Sequence, residues 1–162
     1  MTTHEKLIEE AAQIGIDVIL DHIPVRALKG LYCDRMIILD KDIGTNAEKA
    51  CVLAEELGHY HFTAGDILCE ANTSDVKQEK LARNWAYERM VPISSIIKAY
   101  ELRIGNCEDF AEYLGVTEKF LEQAIRHYEV KYDNRFELDG YVIVFSPLGV
   151  MKRVYIEPRK DL

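Results

Sequence analysis

Leu7, Ile8, Ala11, Ala12 and Ile14 fall on one side of a helical projection, so residues 4–14 predict a short amphipathic helix that Gly15 ends. Residues 16–23 (IDVILDHI) alternate and carry branched side chains, which predicts a strand stopped at Pro24. Residues 30–40 (GLYCDRMIILD) predict two more strands about a turn at Cys33, Asp34 and Arg35. Gly44, Thr45 and Asn46 then supply a helix start, with Thr45 and Glu48 at capping-box spacing, and residues 46–61 predict a helix. Turn formers from Thr63 to Thr73 predict a loop. Ser74 or Asp75 can cap a helix over about 75–91, closed by Pro92. A short helix over 93–101 follows, then a helix–turn–helix from 108–114, Gly115 and 117–132. Asp139–Gly140 introduces a C-terminal strand pair, YVIVF and VMKRVYI, joined by Ser146, Pro147, Leu148 and Gly149. This order predicts an α+β fold: a small N-terminal β-sheet packed on a helical bundle, with a C-terminal β-hairpin.

With 162 residues and 18.6 kDa, the chain makes one domain, or one and a small annex, and can bury a sizeable core. Hydrophobic residues at 48% and charged residues at 30% exclude a disordered chain. No apolar run approaches the roughly 20 residues of a membrane span. The polar start MTTHEKLIEEA lacks the apolar stretch of a secretory signal, so a cytoplasmic location is expected. A net charge of −8 disfavours a protein built to coat nucleic acid. Cys33, Cys51, Cys69 and Cys107 are far apart with no CxxC pair, so reduced core thiols are expected.

The chemistry is concentrated in LAEELGHYHF, residues 53–62. Glu55 and His59, four apart on a helix, project from one face, as two ligands to a single metal must. Glu56 is rotated about 100° away, where it can approach a metal-bound water without being a ligand. The arrangement is that of the H-E-x-x-H zinc helix, whose Glu is the general base, with Glu55 in the first histidine position. A third ligand must come from elsewhere. Glu79 shares a helical stripe with Ala82, Ala86 and Met90, small residues that let the next helix approach closely, and Gly58 helps from the other side. Glu79 is therefore the choice, with Glu88 in reserve. Two carboxylates and one histidine make a harder site than a His-rich one, so manganese or ferrous iron stand beside zinc as candidate cofactors. The competing reading of the same spacing is a solvated Glu/His face, with Glu48 on the same polar stripe.

Other conspicuous residues have structural readings. His61 lies about 200° round the helix from His59 and reads as a packed or surface histidine. His4, His22 and His127 lack a ligand-spaced partner in sequence. Trp85 with Leu81 reads as core. Cys51, one turn before Glu55, is a small core residue or, less simply, a further ligand.

The segments KGLYCDRMIILD, VLAEELGHYHFTAGDI and QEKLARNWAYERMVP resemble the ImmA/IrrE family of metallo-endopeptidases, most of all the prophage and integrative-element type. The similarity extends to EDFAEYLGVTEKFLEQAIRHY and YVIVFSPLGV. The resemblance implies a cytoplasmic, zinc-dependent peptidase with a zincin-like metal helix, which cuts or inactivates a helix-turn-helix phage-type repressor. It implies metal ligands Glu55, His59 and Glu79 and a catalytic Glu56. Ala82, Trp85 and Ala86 match the family's pattern after Glu79. The departure is Glu55 in place of the usual first histidine. Residues 1–92 would then form the zincin-like core, and 93–162 a helical extension with the hairpin, packed as one globular unit. The alternative is a non-catalytic antirepressor that sequesters the repressor through the same surface.

Residues 111–125 (AEYLGVTEKFLEQAI) resemble a DNA-binding helix-turn-helix. Glu118 and Glu122 on the second helix would repel phosphate, so the segment reads as a packing unit or a protein dock. No direct nucleic-acid partner and no membrane partner are expected. The strand at Met36–Leu39 is expected to be an edge strand able to bind an extended substrate by β-addition.

Overall fold

The apolar pattern of the first third folds as the alternation and the helical spacing require. In a computed structural model describing residues 1–62 and 76–154, helix α1 (Thr3–Gln13) precedes strand β1 (Asp17–Asp21), then β2 (Gly30–Cys33) and β3 (Met36–Asp40). Thr2 caps α1 in a full capping box with Glu5. Asp34 and Arg35, both at positive φ, form the tight turn of the β2–β3 hairpin. β1 is shorter at both ends than the alternation predicts. Ile16 and Ile23, which flank it, are buried.

The sheet order is β1-β3-β2, with β1 parallel and β2 antiparallel to β3. β3 is therefore the central strand, paired on both edges, and the expectation that it would be the edge is corrected. Its most buried side chains, Ile37 and Leu39, are 0% exposed. Burying each contributes about 1.5–3 kcal/mol. β2 is the edge on the helical side and packs against helix α2 (Asn46–Phe62). Thr45 Oγ accepts the Glu48 N–H at 3.1 Å, while the Glu48 carboxylate pairs with Lys29.

Helix α3 (Val76–Met90) lies along α2, and α4 (Ile93–Glu101), α5 (Cys107–Leu114) and α6 (Glu118–Lys131) complete the bundle. The loop expected over 63–73 and the caps expected at Ser74 or Asp75 lie outside the described residues. Gly115, at φ 70°, ends α5, and Thr117 caps α6. Phe110, Ala111, Val116, Phe120, Leu121 and Ala124 are all buried, so the helix–turn–helix packs into the core.

The C-terminal part is richer than a hairpin. A third strand, β4 (Arg135–Leu138), pairs with β5 (Tyr141–Phe145), and β5 pairs with β6 (Leu148–Lys152). Asp139 and Gly140, at φ 52° and 79°, close the β4–β5 hairpin rather than opening the sheet. β4 escapes a sequence reading because its apolar positions, Phe136 and Leu138, are two alternating residues in a polar segment. One apolar core runs from Leu7 to Phe145 and crosses residue 92 without a break.

The cysteines differ from the expectation of four reduced core thiols. Cys51 is free and buried, Cys107 is free but exposed, and Cys33 is disulfide-bonded. Cys69 lies outside the described residues. No described helix is long and apolar enough to cross a membrane.

Candidate active site

Gly58 decides how closely α2 and α3 meet. A Cβ there would fall 2.4 Å from the Ala82 carbonyl oxygen, so the two backbones touch where neither residue carries a bulky side chain. Ala82 and Ala86 are 0% exposed along the same seam. This contact carries Glu79, one turn before Ala82, to His59, one residue after Gly58. His59 Nε2 and Glu79 Oε1 are 3.4 Å apart, and the two side chains are 21% and 31% exposed, so the pair is open to solvent on one side. Arg83, one turn beyond Glu79, reaches its other oxygen at 3.6 Å. Glu88 points elsewhere and bonds His127 at 2.8 Å and Lys131 at 2.6 Å. Of the two glutamates weighed on this helix, Glu79 is the one beside His59.

Glu56 faces β2. A Cβ on Gly30 would lie 2.8 Å from Glu56 Cγ and Oε1 and 2.6 Å from Val52 Cγ1, so only glycine leaves room for the carboxylate. The Tyr32 backbone N–H donates to the Glu56 carboxylate. Tyr32 can do so because β2 is an edge strand, and alternate residues of an antiparallel pair turn their backbone groups away from the partner. Burial raises the Glu56 carboxyl to about 8, against the Tyr32 hydrogen bond and with the charges of Glu55 and Glu79 adding to the rise. Burial also raises Glu55, which Arg83 pulls down and Glu79 pushes up. Three carboxyls and a histidine thus share one partly buried corner, in which the charge of Glu79 disfavours ionisation of both Glu55 and Glu56.

That donor set fits a divalent cation. A cation would relieve the mutual repulsion, and the set combines one imidazole nitrogen with carboxylate oxygens. The ligand atoms of Glu55, His59 and Glu79 do not gather within 4.8 Å of one another. Among the described residues, the group that does is His22, Asp40 and Asp42. Sequence spacing gave His22 no partner, because β1 and β3 bring the two segments together only in the fold. Asp40, however, already accepts the N–H groups of Asp42 at 2.8 Å and Ile23 at 3.2 Å, which makes it a turn-binding carboxylate.

The remaining candidates have structural roles. Burial raises the Cys51 thiol to about 11, against hydrogen bonds with Thr117, so it is a neutral core thiol rather than a metal-binding thiolate. His61 is exposed and lies 4.6 Å from the Trp85 ring, which is half-buried against the core. Gly30 and Tyr32 are the contributors that spacing missed. The only hint was their position in the GLY segment just before the strand turn, and nothing there ties them to a glutamate more than twenty residues on.

A three-stranded sheet is thus backed by a helix that carries two adjacent glutamates and a histidine, with a third glutamate brought in from the next helix. Residues 11–126 match the family model of the Peptidase M78 family, described as the IrrE N-terminal-like domain, and the chain belongs to that family. The matched span covers α2, α3 and most of α6, and ends before the C-terminal sheet. No curated protein and no solved structure matches the chain.

Proposed function

We propose that this chain is a cytoplasmic, metal-dependent endopeptidase whose substrate is a helix-turn-helix repressor of phage type. The observation that carries the reading is the corner formed by Glu55, Glu56, His59 and Glu79, where part-buried carboxyls with raised pKa crowd around a solvent-reached His59–Glu79 pair. Perturbed carboxyls of this kind cluster at functional sites. In this reading Glu55, His59 and Glu79 hold the metal, zinc first and manganese or ferrous iron next. When bound, the metal supplies Lewis acidity to the scissile carbonyl and acidity to a water. Glu56 is the general base: it takes a proton from the attacking water at its carboxylate and returns it to the leaving amine. A dication beside it would bring its raised carboxyl down toward the ionised form that a base needs. The Tyr32 N–H aims that carboxylate, and Gly30 gives it space. The outer edge of β2 beside Glu56 offers backbone groups to an extended peptide.

The second reading, a non-catalytic antirepressor, is favoured by one observation. Glu55, His59 and Glu79 do not converge within 4.8 Å. Glu56→Gln separates the two. With the repressor encoded beside the gene as substrate and zinc supplied, an endopeptidase loses about 10²–10⁴-fold in cleavage rate while keeping its fold and metal. A sequestering protein carrying the same Glu56→Gln change relieves repression as well as the wild type does. Unchanged relief of repression in Glu56→Gln, without cleaved repressor in the wild type, would overturn the peptidase.

A further inference from the structure

Helix α6 carries two stripes of different charge. Glu118 and Glu122, four residues apart, lie toward Cys107, whose thiol they help to push up after burial. Lys119 and Gln123 lie about 100° round the helix. They face the other way and line a cleft with Glu55 of α2 and with Arg83 and Tyr87 of α3. The acidic composition of this helix therefore hides a face that is cationic. The cleft has a volume of about 300 Å³, at the small end of the range for ligand clefts.

Its chemistry is one-sided. Arg83, Lys119 and Gln123 bring a guanidinium, an ammonium and an amide. Tyr87 brings a phenol that burial holds above its usual range, and which is therefore a donor. Lys119 has no ion-pair partner among the described residues. Arg83 reaches a carboxylate only at 3.6 Å. The acidic member of the lining is Glu55. A cation held by Glu55 and Glu79 would engage the two carboxylates nearest Arg83 and leave the two basic groups for an outside anion.

We infer that this cleft is a specificity subsite that takes an acidic side chain, aspartate or glutamate, close to the bond being cut, with Arg83 and Lys119 as the selecting residues. The inference rests on the endopeptidase reading, because Glu55 is at once a wall of the cleft and a proposed metal ligand. Arg83 offers a planar fork for a carboxylate, and Lys119 a mobile point charge at the rim. Gln123 and Tyr87 offer neutral donors to the oxygens the cations leave.

The test has a binding arm and a cleavage arm. In the first, the zinc-loaded full chain carrying Glu56→Gln meets doubly capped pentapeptides that differ only in one Glu, Gln or Lys. The side-chain amide of Gln123 is followed by NMR. The Glu peptide is expected to shift that signal saturably and to bind about tenfold tighter than the Gln peptide. Lys119→Glu should abolish the difference and Lys119→Arg should keep it. Equal binding of the Glu and Gln peptides, or a Gln123 signal that does not move, overturns the subsite. Stronger binding of an uncapped peptide through its terminal carboxylate overturns the assignment to a side chain. In the second arm, zinc-loaded wild type meets a mixed peptide library, and cut sites are read by mass spectrometry. An acidic residue beside the cut, reversed to a basic one in the Arg83→Glu, Lys119→Glu double variant, is the expected result. Cleavage without acidic preference sinks the subsite and leaves the endopeptidase. Glu-selective binding without any cleavage sinks the endopeptidase and leaves a carboxylate site.

Discussion

Helix α3 presents a glutamate to a histidine at each end, and the two pairs behave oppositely. At its C-terminal end Glu88 meets His127 at 2.8 Å and Lys131 at 2.6 Å, and His127 is 12% exposed. Burial alone would raise Glu88, but the hydrogen bonds from Lys131 and His127 hold it below the usual carboxylate range. At the N-terminal end Glu79 meets His59 at a looser 3.4 Å, with two further part-buried carboxyls, Glu55 and Glu56, both raised. One cluster is balanced in charge and ties α3 to α6. The other sets three carboxyls beside one histidine, with Arg83 at 3.6 Å from Glu79. The same pair of residue types is a clamp in one setting and part of a candidate cation site in the other.

The largest expected effect breaks the framework of the second cluster. Gly58→Val places a branched side chain against the Ala82 carbonyl, and overpacking of this kind costs about 1–3 kcal/mol or more. A midpoint lower by about 3–10 °C should appear in thermal unfolding. The matching change on the clamp, Glu88→Gln, touches no backbone seam and should cost far less.

A direct exchange tests the contrast further. His127→Ala should cost about 1–3 kcal/mol, because it leaves Glu88 with one partner fewer at a part-buried position, and metal content should be unchanged. His59→Ala should do the reverse: elemental analysis should show the bound metal lost, while the chelated protein unfolds within about 0.5 kcal/mol of wild type. Equal metal content in both variants would make the two clusters alike and remove the basis of the distinction.

Opposite in sign to each other are the expected pH responses of the two carboxyls in the chelated protein. The raised Glu56 carboxyl contributes stability that is fully present below its unfolded value near 4.5 and is lost as pH rises toward about 8. Glu56→Gln should flatten that slope. The lowered Glu88 carboxyl contributes stability that is present above its unfolded value and is lost as pH falls through its folded one. Its share is the smallest of these effects, under about 1 kcal/mol, because the ion pair is largely exposed to solvent. Thermal unfolding between pH 4 and 8, with chelator, separates the two slopes.

Much of this was legible from residue order. Periodicity and capping marked the six helices of the described residues to within a residue or two. Asp34–Arg35 and Asp139–Gly140 marked turns, and the small residues Gly58, Ala82 and Ala86 pointed to a close helix pair. The stripe and the family resemblance both favour Glu79 over Glu88, and Glu79 lies 3.4 Å from His59. Strand β4 was missed because two alternating apolar residues are too short a signal. The edge position was assigned to the wrong strand because pairing partners are decided by topology, and β1 returns to pair with β3 rather than with its successor.

Residue order was enough to set the helices, among them the one that carries Glu55, Glu56 and His59, and the seam of small residues that lets α3 approach. Those are local properties, governed by periodicity, capping and side-chain size within a few turns. Three further features came only with the packed fold: β2 is the edge beside Glu56, Gly30 and Tyr32 shape and aim that carboxylate, and an acidic helix shows Lys119 and Gln123 to the cleft at Glu55. Each of these depends on which face of one element meets which face of another across 24 to 68 residues of chain. That choice is made by burial of the whole core, and no local spacing contains it.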